Sequence, residues 1–141
     1  MSGDRFALAR FVDAQARSFE AALAELRAGA KRSHWMWYVF PQVAGLGSSA
    51  MAHRYAIGSL DEARAYLAHP ILGDRLRQCI TTMAPHAAKG AEAVFGAIDA
   101  LKLRSSLTLF SGAGEPLAAA ALEDWFAGNP DEATLAILRH R

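Results

Sequence analysis

Trp35-Met36-Trp37-Tyr38-Val39-Phe40 is the one stretch of this 141-residue chain that reads equally as strand or helix, and it decides the fold class. It is short and apolar on all sides, which suits a buried strand. Ser33 as an N-cap and the helical patterns on both sides suit a short buried helix instead. Nothing else supports a sheet. No segment alternates apolar and polar side chains over several residues, and no Asn-Gly or Asp-Gly pair joins β-branched runs. The stretch is therefore expected to be helical and the fold all-α.

Upstream, Leu8, Phe11, Val12, Gln15, Phe19, Ala22, Leu23 and Leu26 recur at spacings of three and four, predicting a helix from residue 5 or 8 to 28. Gly29 stands where a left-handed C-cap belongs. Downstream, Ser59-Leu60-Asp61-Glu62 is a capping-box pattern, with Ser59 and Glu62 exchanging bonds at the start of a helix that ends near Ala68. Pro70 disfavours helical geometry at His69 and can itself begin the next helix, over residues 70–83. That helix would turn Ile71, Leu72, Leu76, Cys79, Ile80 and Met83 to the core. A short turn at 91–95 and a helix over 98–110 follow. Glu115-Pro116 opens another, through Trp125 and Phe126 to Gly128, and Asn129-Pro130-Asp131 caps a last one. The expectation is a single compact domain over residues 1–141, with six to eight helices, several of them short.

Composition narrows the class. With 52% apolar and 21% charged residues, the chain has enough to bury a core, and disorder is not expected. The net charge is +1, split as +2 over residues 1–70 and −1 over 71–141. Neither half is a basic arm, so nucleic acid is not an expected partner. The single cysteine, Cys79, cannot close an intrachain disulfide and falls on an apolar helix face, where it reads as an inert thiol. The histidines at 34, 53, 69, 86 and 140 form no i,i+4 pair, and neither a metal nor a cofactor is expected. The charge-free run 33–53 is broken by Pro41, Gly45 and Gly47, so no membrane span is expected. The N-terminus carries no apolar signal core. A cytoplasmic protein of a reducing compartment is the resulting expectation.

One segment does not look like ordinary core. Lys31-Arg32-Ser33-His34 and the aromatic run through Phe40-Pro41-Gln42 hold two of the three tryptophans, and Gly45-Leu46-Gly47-Ser48-Ser49 follows as a flexible loop. Aromatic faces with a few polar tips suit a pocket for a planar ring or a sugar, and they suit a core equally. In the pocket reading, Trp35 or Trp37 stacks on a ring, and Lys31 and Arg32 hold a phosphate or carboxylate. His34, Gln42 and Gln15 orient the ligand, while Lys102 and Ser106 close the far side. Gln15 places an amide on a core face, where its plainer role is a helix-packing hydrogen bond. Lys102 sits between Leu101 and Leu103, where it either grips an anion or snorkels to solvent. His34 is the first candidate for proton transfer. A different class of reading makes the aromatic surface a docking face for a protein partner or for a second copy of the chain. No Gly-x-Ser-x-Gly elbow, catalytic carboxylate pair or dinucleotide fingerprint is present.

The order of motifs resembles a known family. Phe11-Val12-Asp13-Ala14-Gln15, Lys31 to Trp37 with Phe40-Pro41-Gln42, His69-Pro70-Ile71-Leu72-Gly73-Asp74-Arg75-Leu76, Phe95-Gly96 and Lys102-Leu103-Arg104-Ser105-Ser106-Leu107-Thr108-Leu109-Phe110 occur in sequence. Together they closely resemble the bacterial family catalogued as domain of unknown function 1810, some of whose members carry the label calpastatin. The resemblance implies a compact, mostly helical domain and supplies no catalytic residues. The label is set aside, because an inhibitor of that kind is disordered and this chain is not. A fainter similarity runs to the NADAR family of helical N-glycosidases, through Phe40-Pro41, Ala52-His53-Arg54-Tyr55-Ala56 and the His69-to-Leu76 block. It bears on fold and ligand class and implies an ADP-ribose-like or riboflavin-precursor ligand; if there is catalysis, hydrolysis of an N-glycosidic or related bond is the expected class. Where that family places a Glu immediately before the His, this chain has Ala52, so the acid/base carboxylate is missing unless Asp61 or Glu62 takes its place.

Overall fold

Helix α1 (Ala9–Ala28) buries Phe11, Gln15, Phe19, Ala22, Leu23 and Leu26, the stripe that the spacing predicts. The structure is a computed structural model and describes residues 4–140. At the start of α1 the Asp4 carboxylate accepts from the amides of Leu8 and Ala9, both at 2.7 Å. Its end is Gly29, left-handed at φ 72°, with the Gly29 and Ala30 amides closing on the carbonyls of Leu26 and Glu25.

The chain then reverses, and Glu25 holds the reversal. Its carboxylate accepts from the amides of Arg32 (2.7 Å) and Ser33 (2.9 Å), from the Ser33 hydroxyl, and from the Trp35 indole (3.0 Å). The ambiguous stretch follows as a single helical turn, α2 (Met36–Val39), flanked by the buried Trp35 and Phe40. Residues 41–58 form an excursion whose ends meet in one parallel bridge between Val43 and Ile57. Within it lies α3 (Ala50–Arg54), which the apolar pattern does not predict because none of its side chains is buried.

Helix α4 (Leu60–Ala68) starts at Ser59, whose hydroxyl accepts from the Glu62 amide at 3.1 Å. The expected return bond is replaced. The Glu62 carboxylate turns to the Gly58 amide and to Arg10, each at 2.9 Å. Helix α5 (Leu72–Met83) begins two residues later than expected, because the His69 ring accepts from the amides of Ile71 and Leu72 and so caps it. Ile71 lies in this cap and is 41% exposed, not buried as the pattern suggests. Helices α4 and α5 approach so closely that a Cβ on Gly73 would sit 2.1 Å from the Leu67 carbonyl oxygen.

A 3-10 turn (Ala84–Lys89), unforeseen in the sequence, leads into α6 (Ala91–Phe95), α7 (Ala97–Gly112), α8 (Pro116–Phe126) and α9 (Glu132–Arg139). Helix α7 packs against α2, α4, α6, α8 and α9. Aromatic contacts link the layers: Phe11 to Tyr66 and Tyr66 to Phe110 at 5.2 Å, Phe40 to Phe95 at 6.3 Å, and Phe95 to Trp125 at 5.8 Å. Among the described residues there are nine α-helices and no strand, and six of the helices have seven or more residues. None of them is long and apolar enough to cross a membrane.

Burial alone would raise the Glu25 carboxyl. The Ser33 hydroxyl, the Arg32 and Ser33 amides and the Trp35 indole outweigh it and bring the carboxyl from its ordinary 4.5 down to about 2. A carboxyl depressed in the folded state contributes fully above its unfolded value and loses that contribution as pH falls towards the folded one. Stability is therefore expected to fall between about pH 5 and pH 2, and less steeply in Glu25→Gln. At neutral pH that variant should lose about 1–2 kcal/mol, since the carboxylate still reaches solvent. Urea unfolding across pH checks both, and an unchanged midpoint at pH 7 would remove Glu25 from this role.

Candidate functional site

Between the 31–37 segment and the start of α7 lies a cleft of about 440 Å³, lined on one side by Lys31, His34, Met36 and Trp37 and on the other by Phe95 to Asp99 and Lys102. The reversal held by Glu25 delivers the first group, and the Lys31 amide fastens it to the Val94 carbonyl at 2.8 Å. The Lys31 side chain is only 6% exposed and spans the cleft floor to Asp99 at 2.8 Å, with a second bond to the Ser33 carbonyl at 2.6 Å. Lys102, one turn along α7, lies 3.7 Å from the other Asp99 oxygen and 5.1 Å from the centre of the Trp37 ring. Its flanking leucines thus do not bury its charge, and the ammonium emerges beside an aromatic face.

Helix α7 begins at Gly96, φ 83° and ψ 160°, without a side-chain cap. Its first turn therefore presents amides and the positive end of the helix to the cleft it lines. Asp99, in that turn, offsets part of this charge and part of the lysines'. Two ammonium groups and one helix end stand against one carboxylate, so the cleft favours an anion. His34 lies exposed at the rim, with no side-chain hydrogen bond among the described residues.

Of the residues singled out in the sequence, the structure thus brings Lys31, His34, Trp37 and Lys102 together. The others lie elsewhere. Arg32 is exposed and does not line the cleft. Trp35 is 1% exposed, with its indole bonded to Glu25, and belongs to the core. Gln42 is half-buried in the 41–44 segment, where its carbonyl accepts from the Ile57 amide at 2.9 Å. Ser106 is fully buried, and its hydroxyl has no partner among the described residues. Gln15 is 1% exposed; its amide donates to the Tyr38 carbonyl (2.7 Å) and the Tyr66 hydroxyl (3.0 Å), and its oxygen meets Arg75 at 3.4 Å. That is the helix-packing role.

Two residues of the site have no signal in the aromatic run. Asp99 could have been found from its i,i+3 spacing to Lys102 in a helix's first turn. Glu25 sits among ordinary charged residues of α1 and carries no such mark. Elsewhere, burial pushes the Cys79 thiol up to about 12, which leaves it inert. The carboxylates offered in place of the NADAR-type Glu are away from the cleft. Glu62 is spent on Arg10 and Gly58, and Asp61 pairs at the surface with Arg64 at 3.3 Å. Among the described residues, no group of three His, Cys, Asp or Glu side chains is placed to hold a metal ion.

If Gln15 serves packing, Gln15→Leu should cost about 1–3 kcal/mol by orphaning buried polar atoms, and should leave unchanged any response of the cleft to an added ligand. Denaturant unfolding and a ligand titration of the same variant separate the two, and a lost response in a stable variant would return Gln15 to the site.

No curated protein is significantly similar to the chain. The chain is 48% identical to the conserved hypothetical protein Rv1873 from Mycobacterium tuberculosis, whose crystal structure superposes with a TM-score of 0.94 over 96% of this chain and 99% of that one. The model of the family described as "Protein of unknown function (DUF1810)" matches residues 5–138. Fold, motif order and this match agree, and the chain belongs to the DUF1810 family.

Proposed function

We propose that this protein binds a small anionic molecule bearing a flat ring, of the nucleotide or sugar-phosphate kind, in the cleft between Lys31 and the start of α7. The observation that carries this reading is the convergence of Lys31, Lys102 and an uncapped helix start beside the Trp37 ring. An incoming phosphate exchanges with Asp99 at Lys102, where the existing contact is long at 3.7 Å, while the 2.8 Å pair of Lys31 and Asp99 keeps the floor in place. Trp37 then offers its face to the ring. The same cleft holds two groups that hydrolysis of an N-glycosidic bond can use. Asp99 can face a developing positive charge, and His34 at the rim can protonate a leaving base. A cytoplasmic location, where such ligands are held, goes with this reading.

Thermal-shift measurements with AMP and ADP-ribose test it. A ligand at 100 times its Kd stabilises the fold by about 2.7 kcal/mol, a rise of several degrees. Lys102→Ala should abolish the shift, and so should Trp37→Ala in its folded form. Absence of a shift with either compound would sink the reading. Release of free base on prolonged incubation, lost in His34→Ala and in Asp99→Asn, is the matching test of hydrolysis.

A second reading rests on the two most exposed large apolar side chains, Ile98 at 72% and Leu101 at 66%, one turn apart on α7. Such a pair beside a cleft suits docking of a protein partner or of a second copy. Light scattering at rising concentration should then give a dimer mass that Ile98→Ser with Leu101→Ser returns to the monomer. A monomer throughout leaves no support for self-association.

A further inference from the structure

Trp37 and Tyr38 are neighbours on α2, but they line different clefts. The second, of about 690 Å³, lies between α1 and the end of α3. Arg10 builds it. Its guanidinium reaches the carbonyls of Arg54 and Ala56 (both 2.8 Å), Glu62 (2.9 Å), and the carbonyls of Phe6 (2.5 Å) and Ala7 (2.9 Å). Those bonds spend Arg10 and tie α3 to α1.

Two further arginines line the same cleft and are not spent. Among the described residues neither Arg17 nor Arg54 has a side-chain ion pair or hydrogen bond; Arg54 rests over the Tyr55 ring, 5.5 Å from its centre. Asp13 precedes Arg17 by one helical turn, a spacing that permits a pair, yet it too has no ion pair among the described residues. The hydroxyls of Ser18 and Tyr38 meet at 2.7 Å on the cleft wall. They share one hydrogen bond and keep acceptor capacity. Tyr38 and Tyr55 line the cleft but are only 8% and 7% exposed, so little of either ring is open.

We propose that this cleft is a second binding site, for the phosphate monoester of a small sugar or other polyol. Two unpaired guanidiniums match the oxygens of a phosphate, which they can hold by paired N–H···O bonds. Asp4 also lines the cleft, but its carboxylate accepts from the Leu8 and Ala9 amides, which leaves Asp13 as the carboxylate that a bare phosphate meets as a like charge. A phosphorylated polyol turns that carboxylate into an acceptor for ligand hydroxyls, and the Ser18–Tyr38 pair takes others. With so little of either tyrosine ring open, the cleft gives a base little aromatic surface to stack on. This site shares no residue with the cleft at Lys31 and does not depend on the function proposed there.

Isothermal titration calorimetry on the full chain with ribose 5-phosphate, inorganic phosphate and ribose tests the proposal. Ribose 5-phosphate should bind at least tenfold more tightly than inorganic phosphate, and ribose should give no heat. Arg17→Ala and Arg54→Ala should each weaken ribose 5-phosphate at least tenfold with an unchanged melting temperature, because both side chains are exposed. Asp13→Asn should bring the two anions close to equal, and in Lys102→Ala the component of the binding that depends on Arg17 and Arg54 should remain. Equal affinity for phosphate and ribose 5-phosphate in the unmodified protein would overturn the polyol assignment. No binding, or binding lost in Lys102→Ala and kept in the arginine variants, would overturn the site.

Discussion

A single carboxylate sets the geometry on which the first cleft depends. Glu25, one turn before the end of α1, gathers two amides, a hydroxyl and an indole from residues 32–35. Those bonds decide where the chain goes after Gly29. They seat the Trp35 ring in the core, send Lys31 across to Asp99, and start α2 so that Met36 and Trp37 face one side and Tyr38 the other. Charge-assisted bonds are among the stronger ones a partly solvated group can make, and here they converge on two oxygens. The reversal is specified by one residue rather than by the propensity of the loop.

Helix α7 is the other organising element. Most of its side chains from Leu103 to Phe110 are buried, Ser105, Ser106 and Thr108 among them. A helix surrounded by neighbours shows no clean apolar stripe. Two of these three buried hydroxyls are accommodated locally: Ser105 and Thr108 return bonds to the carbonyls of Leu101 and Arg104, at 3.1 and 2.8 Å. The first turns emerge from the packing, and they carry the carboxylate, the lysine and the two exposed apolar side chains. The same helix is core at one end and cleft at the other.

What the sequence makes legible follows the range of the interaction. Helix α1, its glycine end, the Ser59 cap and the Asp131 cap are all written in residues a few positions apart, and all are present. The helical state of residues 36–39 was legible by elimination of a sheet. Helix α3 and the 3-10 turn were not, because they bury no side chain and leave no periodic trace. Within the site, Lys31, His34 and Trp37 stood out as an unusual local cluster, and Lys102 as a charge among leucines. The pairing of Lys31 with Asp99 spans about half of the chain, and no local pattern announces it. Trp35 and Trp37 are alike in sequence, and only the bond to Glu25 sends one inward and leaves the other at the cleft. Gln15 was a correct anomaly with a structural answer.

The three tryptophans end in unequal surroundings. Trp35 and Trp125 are 1% and 8% exposed, whereas Trp37 is half-buried on the wall of the first cleft beside the Lys102 ammonium. The intrinsic fluorescence of the folded chain therefore divides by wavelength. Its blue side is expected from two buried indoles that report on unfolding, and its red edge from the one indole on the wall of the first cleft. The protein carries its own optical probe of that cleft, with no label attached.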